Sequence, residues 1–214
     1  MKKKIEDLPN KIPVFPLSNF IIFPRTTVPL NIFEPRYIDM IDDAMKSNRI
    51  IGMVQPKKPD QDLPLLYNVG CAGRITSFNE TNDGRFIITL SGLIRFRIKK
   101  ELEKKNLYRN FEVDYSEFAN DLEEEKNYAE NNEKNNLLNK IRVFFKKINY
   151  PIDYEELKKL NLDQLISTVS MISPFSVEEK QKMIETIKIN NKIKVLTEII
   201  NFSLLDSEEN KTIQ

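Results

Sequence analysis

Residues 29–37 read Pro-Leu-Asn-Ile-Phe-Glu-Pro-Arg-Tyr. This run carries the chain from a strand into a helix. Upstream, residues 27–33 alternate Val28, Leu30 and Ile32, the period of a half-buried strand. Pro35 then suits the first turn of a helix, where its missing N–H has no partner to lose. Tyr37, Met40, Ile41, Ala44 and Met45 follow the i, i+3, i+4, i+7 spacing of one buried helical face. Working back, residues 12–15 form a short extended piece broken by Pro13 and Pro16. Proline is dense here, which predicts edge strands and fixed turns.

Working forward, strands are expected over residues 49–55, 69–78, 85–98 and 107–117. The strongest is 85–98. Phe86, Ile88 and Leu90 take one face, and Ile94, Phe96 and Ile98 resume after Ser91-Gly92. Arg95, Arg97 and Lys99 fall on the other face. Asn82-Asp83-Gly84 signals a hairpin turn, because glycine reaches positive φ without strain. Gly92 inside the run predicts a bulge or a sharp bend, as in a small closed barrel. The proline-containing loop at 56–66 reads as polar and mobile.

Beyond residue 117 the character changes. Residues 92–110 hold seven basic and two acidic side chains, whereas residues 112–134 hold nine acidic and two basic ones. The acidic block is expected to be a linker or a solvated helix start. Helical stripes follow: Leu137, Leu138, Ile141, Phe144, Phe145 and Ile148, then Leu162, Leu165, Ile166, Val169 and Ile172. Met183, Ile184 and Ile187 make a third, and Ile193, Leu196, Ile199 and Ile200 a fourth. Asp153 with Glu156, and Ser176 with Glu179, are spaced as capping boxes. The expected organisation is α+β: a β-rich unit over 1–118, the acidic segment over 119–136, a helical bundle over 137–205 and a frayed tail over 206–214.

Composition narrows the chemistry. The chain of 214 residues has 33 basic and 32 acidic side chains, so no global charge draws it to nucleic acid or an anionic membrane. It has no histidine and one cysteine, Cys71. That removes histidine-based triads and most zinc sites, and no metal or cofactor is expected. Cys71 lies in an apolar stretch and reads as an inert buried thiol. One unpaired cysteine, no secretory h-region after Lys2-Lys3-Lys4 and no apolar run of ~20 residues predict a cytoplasmic protein without a membrane span. GxxxxGK[ST], GxGxxG and GxSxG are all absent. No Ser–Lys pair stands out, so an enzyme is not expected.

Pro13-Val-Phe-Pro-Leu17, Ile22-Phe23-Pro24 and the run at 29–37 together resemble the opening of the Lon protease N-terminal substrate-binding domain family. Gly70, Arg74-Ile75, Asp83-Gly84-Arg85, Ser91-Gly92-Leu93-Ile94-Arg95-Phe96 and Lys180-Gln181 extend the resemblance over about residues 11–202. Lys188 and Lys192 depart from it, standing where an Asp cap and an Arg are usual. The resemblance implies a six-stranded PUA-like pseudo-barrel with one helix, followed by a helical bundle. It further implies a free-standing, non-catalytic module that lacks the ATPase and peptidase parts of Lon. Its partners would be unfolded or exposed apolar polypeptide segments and a protease.

The residues expected to bind polypeptide are Phe23, Arg25, Phe33, Glu34, Arg36 and Tyr37, with Phe23 foremost as an exposed apolar anchor. Phe15, Leu30, Ile32 and Phe33 are also expected in the barrel core, and Glu34 and Arg36 in an ion pair or cap. The alternative is RNA binding through the basic strip at 95–109, with Arg95, Arg97 and Lys99 on one sheet face.

Overall fold

The computed structural model describes residues 4–58, 63–103, 105–123 and 131–209. The chain divides into two compact units, Met1–Glu124 and Glu125–Gln214. The first is built from strands β1 (Lys11–Pro16), β2 (Thr27–Ile32), β3 (Ile50–Val54), β4 (Val69–Glu80), β5 (Phe86–Glu101) and β6 (Arg109–Asp114). One helix, α1 (Pro35–Met45), joins β2 to β3. It buries Tyr37, Met40, Ile41 and Ala44, the face that the spacing predicts.

The six strands form one sheet in the order β2-β5-β4-β3-β1-β6, and β6 also pairs with β5. That last pairing closes β5, β4, β3, β1 and β6 into a ring, with β2 attached outside. The sixteen-residue β5 makes the closure. Its Phe86–Ser91 part pairs with β2, and its Arg97–Glu101 part pairs with β6. Between them the β4 register slips, so that Ala72 faces Ile94 and Gly73 faces Gly92, leaving Leu93 as an extra residue. This is the bend expected at Gly92. A Cβ at Gly92 would lie 1.9 Å from the Phe23 carbonyl oxygen, so no other residue fits. The close approach is held by Arg25 N–H donating to the Gly92 carbonyl (2.9 Å) and Gly92 N–H to the Thr26 carbonyl (2.8 Å).

Two expectations change here. β2, with Pro29, is paired on one side alone, but β1, with Pro13 and Pro16, lies inside the ring between β3 and β6. The proline rule still holds locally. β6 covers Lys11 to Val14 and β3 covers Val14 to Pro16, so each proline has a neighbour strand on one side. Part of the acidic segment also belongs to the barrel. Residues Ser116–Leu122 form a 3-10 strap against β5, and residues 124–130 lie outside the described set.

The second unit holds α2 (Asn131–Lys147), α3 (Tyr154–Lys159), α4 (Leu162–Ile172), α5 (Val177–Glu185) and α6 (Ile189–Glu209). Helix α6 thus runs past Leu205, where a frayed tail was expected. Ser176 and Glu179 make the full reciprocal box. Asp153 accepts from Glu156 N–H without the return bond. Asn161 and Gln164 form a further box that the spacing rule would also have found. Lys192 is buried and donates to Asp163 at 2.8 Å, tying α6 to α4.

Tyr37, Tyr108 and Tyr115 are buried in the barrel unit, and burial raises the phenol of each. Tyr108, whose hydroxyl also donates to Asp43 at 2.7 Å, is pushed up to about 12. A phenol freed by unfolding ionises near ~10, so stability from these groups is complete below that pH and drains away as pH rises past it. A phenolate titration of the folded protein should show Tyr37, Tyr108 and Tyr115 ionising above the ordinary ~10. Ionisation of these three at the ordinary value while circular dichroism still reports folded chain would refute this.

Candidate functional site

The strand-to-helix turn at 33–37 projects side chains in two directions. Period-two alternation points Val28, Leu30 and Ile32 inward and sends Phe33 out, just as the chain leaves the sheet. Phe33 is accordingly 63% exposed, not core as expected. Phe15, Leu30 and Ile32 are buried as expected. Tyr37 points the other way. Its ring packs edge-on against Phe15 at 4.4 Å between centroids. The Arg36 guanidinium lies 4.6 Å above that ring and pairs with Glu34 at 2.8 Å. Glu34 holds the helix N-cap position through its backbone carbonyl, which accepts from Tyr37 and Ile38, while its carboxylate goes to Arg36.

A second segment of the same unit also exposes apolar side chains. The residues after β3 return antiparallel, with a Pro56–Leu66 bridge and Lys57 N–H donating to Leu65 O at 2.7 Å. Arg109 Nη1 donates to Pro64 O at 2.8 Å, while its other nitrogens grip both oxygens of Glu101. The Arg109 charge also acts on the Tyr37 hydroxyl. Arg109 therefore ties this arm to Glu101 at the end of β5. Leu63 and Leu65, on either side of Pro64, are exposed. Reading residues 56–66 as a polar loop missed them; two leucines around a proline were the signal. The tip, 59–62, where mobility was expected, lies outside the described residues.

The expected binding set splits. Phe33, Glu34, Arg36 and Tyr37 stay together. Phe23 and Arg25 stand at the opposite end of β2, roughly 20 Å away along the strand. Phe23 is fully buried, so it is no exposed anchor: its carbonyl abuts Gly92, and its side chain fills the barrel. Arg25, at φ 64°, reaches the Asp121 carbonyl at 3.3 Å.

The basic strip is paired with acidic residues of this same unit. Arg95 was expected on the open face beside Arg97 and Lys99, but the strap covers it and it is buried. Its N–H and Nε both donate to Asp121 Oδ2 (3.0 and 2.9 Å), and Nη2 donates to Oδ1 at 2.8 Å. The Phe118 ring lies 4.7 Å from its guanidinium carbon. Arg97 pairs with Glu117 at 2.6 Å, Lys99 with Asp114 at 3.2 Å and Lys100 with Glu112 at 3.4 Å. Four cations of the basic block thus find their counterions in the first part of the acidic one. Cys71 is buried, and burial raises its thiol far above the ordinary range, away from thiolate chemistry. Among the described residues, no three His, Cys, Asp or Glu side chains are grouped to hold a metal ion. No described helix is long and apolar enough to cross a membrane.

The profile of the ATP-dependent protease La (LON) substrate-binding domain matches residues 11–201. The chain belongs to the LON substrate-binding domain family. The Lon protease of Syntrophus aciditrophicus (strain SB) is 28% identical over 221 residues, covering 99% of this chain and 27% of that protein. Lon protease 2 of Myxococcus xanthus is 25% identical, covering 92% of this chain and 24% of its own length. The chain thus spans about a quarter of these curated relatives. The fold is shared with a Lon N-terminal domain protein from Xanthomonas campestris (TM-score 0.63, 20% identity, 87% of this chain and 96% of that one). It is shared equally with the N-terminal domain of Mycobacterium avium complex Lon protease (TM-score 0.64, 16% identity, 89% and 98%). As a LON substrate-binding domain, the chain presents its family run at 29–37 with the aromatic ring of Phe33 turned to solvent.

Proposed function

We propose that this chain is a non-catalytic polypeptide-recognition module that grips exposed apolar segments between Phe33 and the Leu63–Leu65 arm and serves a protease partner. The observation that carries this reading is the exposure of Phe33 inside the family run, next in sequence to the exposed Glu34–Arg36 ion pair. Apolar anchors within a polar rim suit weak, sequence-tolerant contacts with unfolded chain. Glu34, Arg36 and Arg109 supply that rim. Adaptor or quality-control work in the cytoplasm fits such a module.

Burying a phenylalanine side chain contributes about 1.5–3 kcal/mol. Phe33→Ala should therefore weaken binding of a labelled unfolded polypeptide by roughly 10- to 100-fold, read by fluorescence anisotropy. Raising salt from low to physiological levels should change that affinity little. A short labelled RNA is the contrasting ligand. The RNA reading draws no support from Arg95, Arg97 and Lys99, whose charges are met by Asp121, Glu117 and Asp114. Salt-sensitive RNA binding, with no polypeptide binding, would sink the proposal. Unaltered polypeptide affinity in Phe33→Ala would move the site elsewhere.

A further inference from the structure

Strand β2 gives only every second residue's main chain to its neighbour β5. In an antiparallel pair one residue turns its N–H and C=O to the partner, and the next turns both away. Two bonds fix the phase. Gly92 N–H donates to the Thr26 carbonyl at 2.8 Å, and on the other flank of β5 Thr81 N–H donates to the Arg85 carbonyl at 2.9 Å. With Val28 opposite Leu90, Leu30 opposite Ile88 and Ile32 opposite Phe86, these bonds turn Val28, Leu30 and Ile32 toward β5. Thr27, Pro29 and Asn31 turn away. Among the described residues, none hydrogen-bonds to the main chain of these three. Among the described elements, β5 alone packs extensively on β2.

The free flank therefore offers the N–H groups of Thr27 and Asn31 and the carbonyls of Thr27, Pro29 and Asn31. Pro29 supplies no N–H, and its place on this flank spares the β2–β5 bonds. The same three side chains alternate onto the outer face of the sheet, where all are exposed. Ile87, opposite Asn31 on β5, is 44% exposed, and Phe33 follows at the end of the strand. Main-chain groups repeating every ~6.8 Å, bordered by Pro29, Ile87 and Phe33, complement one chemistry: extended polypeptide main chain with apolar side chains. A folded protein has such groups already paired, whereas an unfolded segment brings them unpaired.

We infer that a polypeptide client binds as an added strand along the free flank of β2, main chain to main chain. This rests on the polypeptide-recognition reading above and states how the segment is held. Main-chain bonds are blind to side-chain identity, so many sequences fit. Pro29, Ile87 and Phe33 favour β-branched and aromatic side chains on one face of the client. The preferred client is thus extended, apolar and poor in proline. Because Pro29 withholds one donor, the added strand is held less firmly than a strand of the fold and leaves readily.

The probe is a labelled peptide of about ten residues that alternates valine and threonine between terminal lysines. Its control is the same peptide methylated on every backbone nitrogen. The first should bind the whole chain and the control should not. In hydrogen exchange read by NMR, saturating peptide should slow the amides of Thr27 and Asn31. Those of Val28 and Leu30, already turned to β5, should stay as they were. Pro29→Ala supplies the missing donor without touching the β2–β5 bonds. It should tighten binding roughly 2- to 10-fold, the effect of one net hydrogen bond, with an unchanged circular dichroism spectrum. Equal binding of the methylated control overturns strand addition. So do Thr27 and Asn31 amides that exchange freely in the complex, or unchanged affinity in Pro29→Ala. If Phe33→Ala still weakens binding in those cases, the polypeptide-recognition reading stands without strand addition. Absence of any peptide binding overturns both.

Discussion

Asp121→Ala should cost the barrel unit about 3–5 kcal/mol, the usual penalty for removing one partner of a buried ion pair. The Arg95 guanidinium would stay beneath the strap, deprived of the carboxylate that meets its backbone N–H, Nε and Nη2. Urea unfolding measures the loss. Glu117→Ala is the internal control. It removes an equally short pair, to Arg97, from a surface where both side chains are about half exposed, and exposed pairs contribute 0–1 kcal/mol. Equal losses in the two variants would mean that the strap is held by something other than the Arg95–Asp121 bond.

Phe23→Ala should be comparably damaging, at about 3–5 kcal/mol, because a fully buried ring is replaced by a cavity. Its neighbours resist collapse: the Phe23 carbonyl is locked against Gly92, and Thr26 Oγ1 both donates to that carbonyl and accepts from Phe23 N–H. Phe33→Ala should show the reverse profile, with stability within ~0.5 kcal/mol of the parent and reduced polypeptide affinity. The two phenylalanines are ten residues apart, in neighbouring family motifs, and the variants separate folding from recognition. Were Phe23→Ala as stable as Phe33→Ala, the packing around residue 23 would be far looser than described.

Much of this was legible beforehand. Extended segments are expected at each of the six described strands, with clear alternation in β2 and β5; Pro35 marks the start of α1, and Gly92 marks the bend that closes the ring. Where the reading failed, a tertiary contact had intervened. Arg95 faces outward as its alternation requires, yet the strap that covers it comes from twenty-six residues downstream. Phe23 was judged by the prolines around it, which predict a turn but not which way a side chain points. Phe33 belongs to the same motif as the core residues Leu30 and Ile32, yet simple alternation turns it outward. The arm holding Leu63 and Leu65 owes its position to Arg109 and β6, a pairing that no local pattern announces.

The ring closes only when β6 pairs with β1, and their partners, such as Ile12 and Phe111, lie almost a hundred residues apart. Synthesis proceeds at roughly 5–20 residues per second, so β1 must wait on the order of five to twenty seconds on the ribosome before its partner exists. An unpaired strand edge is a template for the wrong neighbour. Pro13 and Pro16 each delete a donor from that waiting edge, so the nascent strand offers a broken ladder to any passing chain. Residues that look ill-suited to an interior strand in the finished barrel are well suited to its infancy.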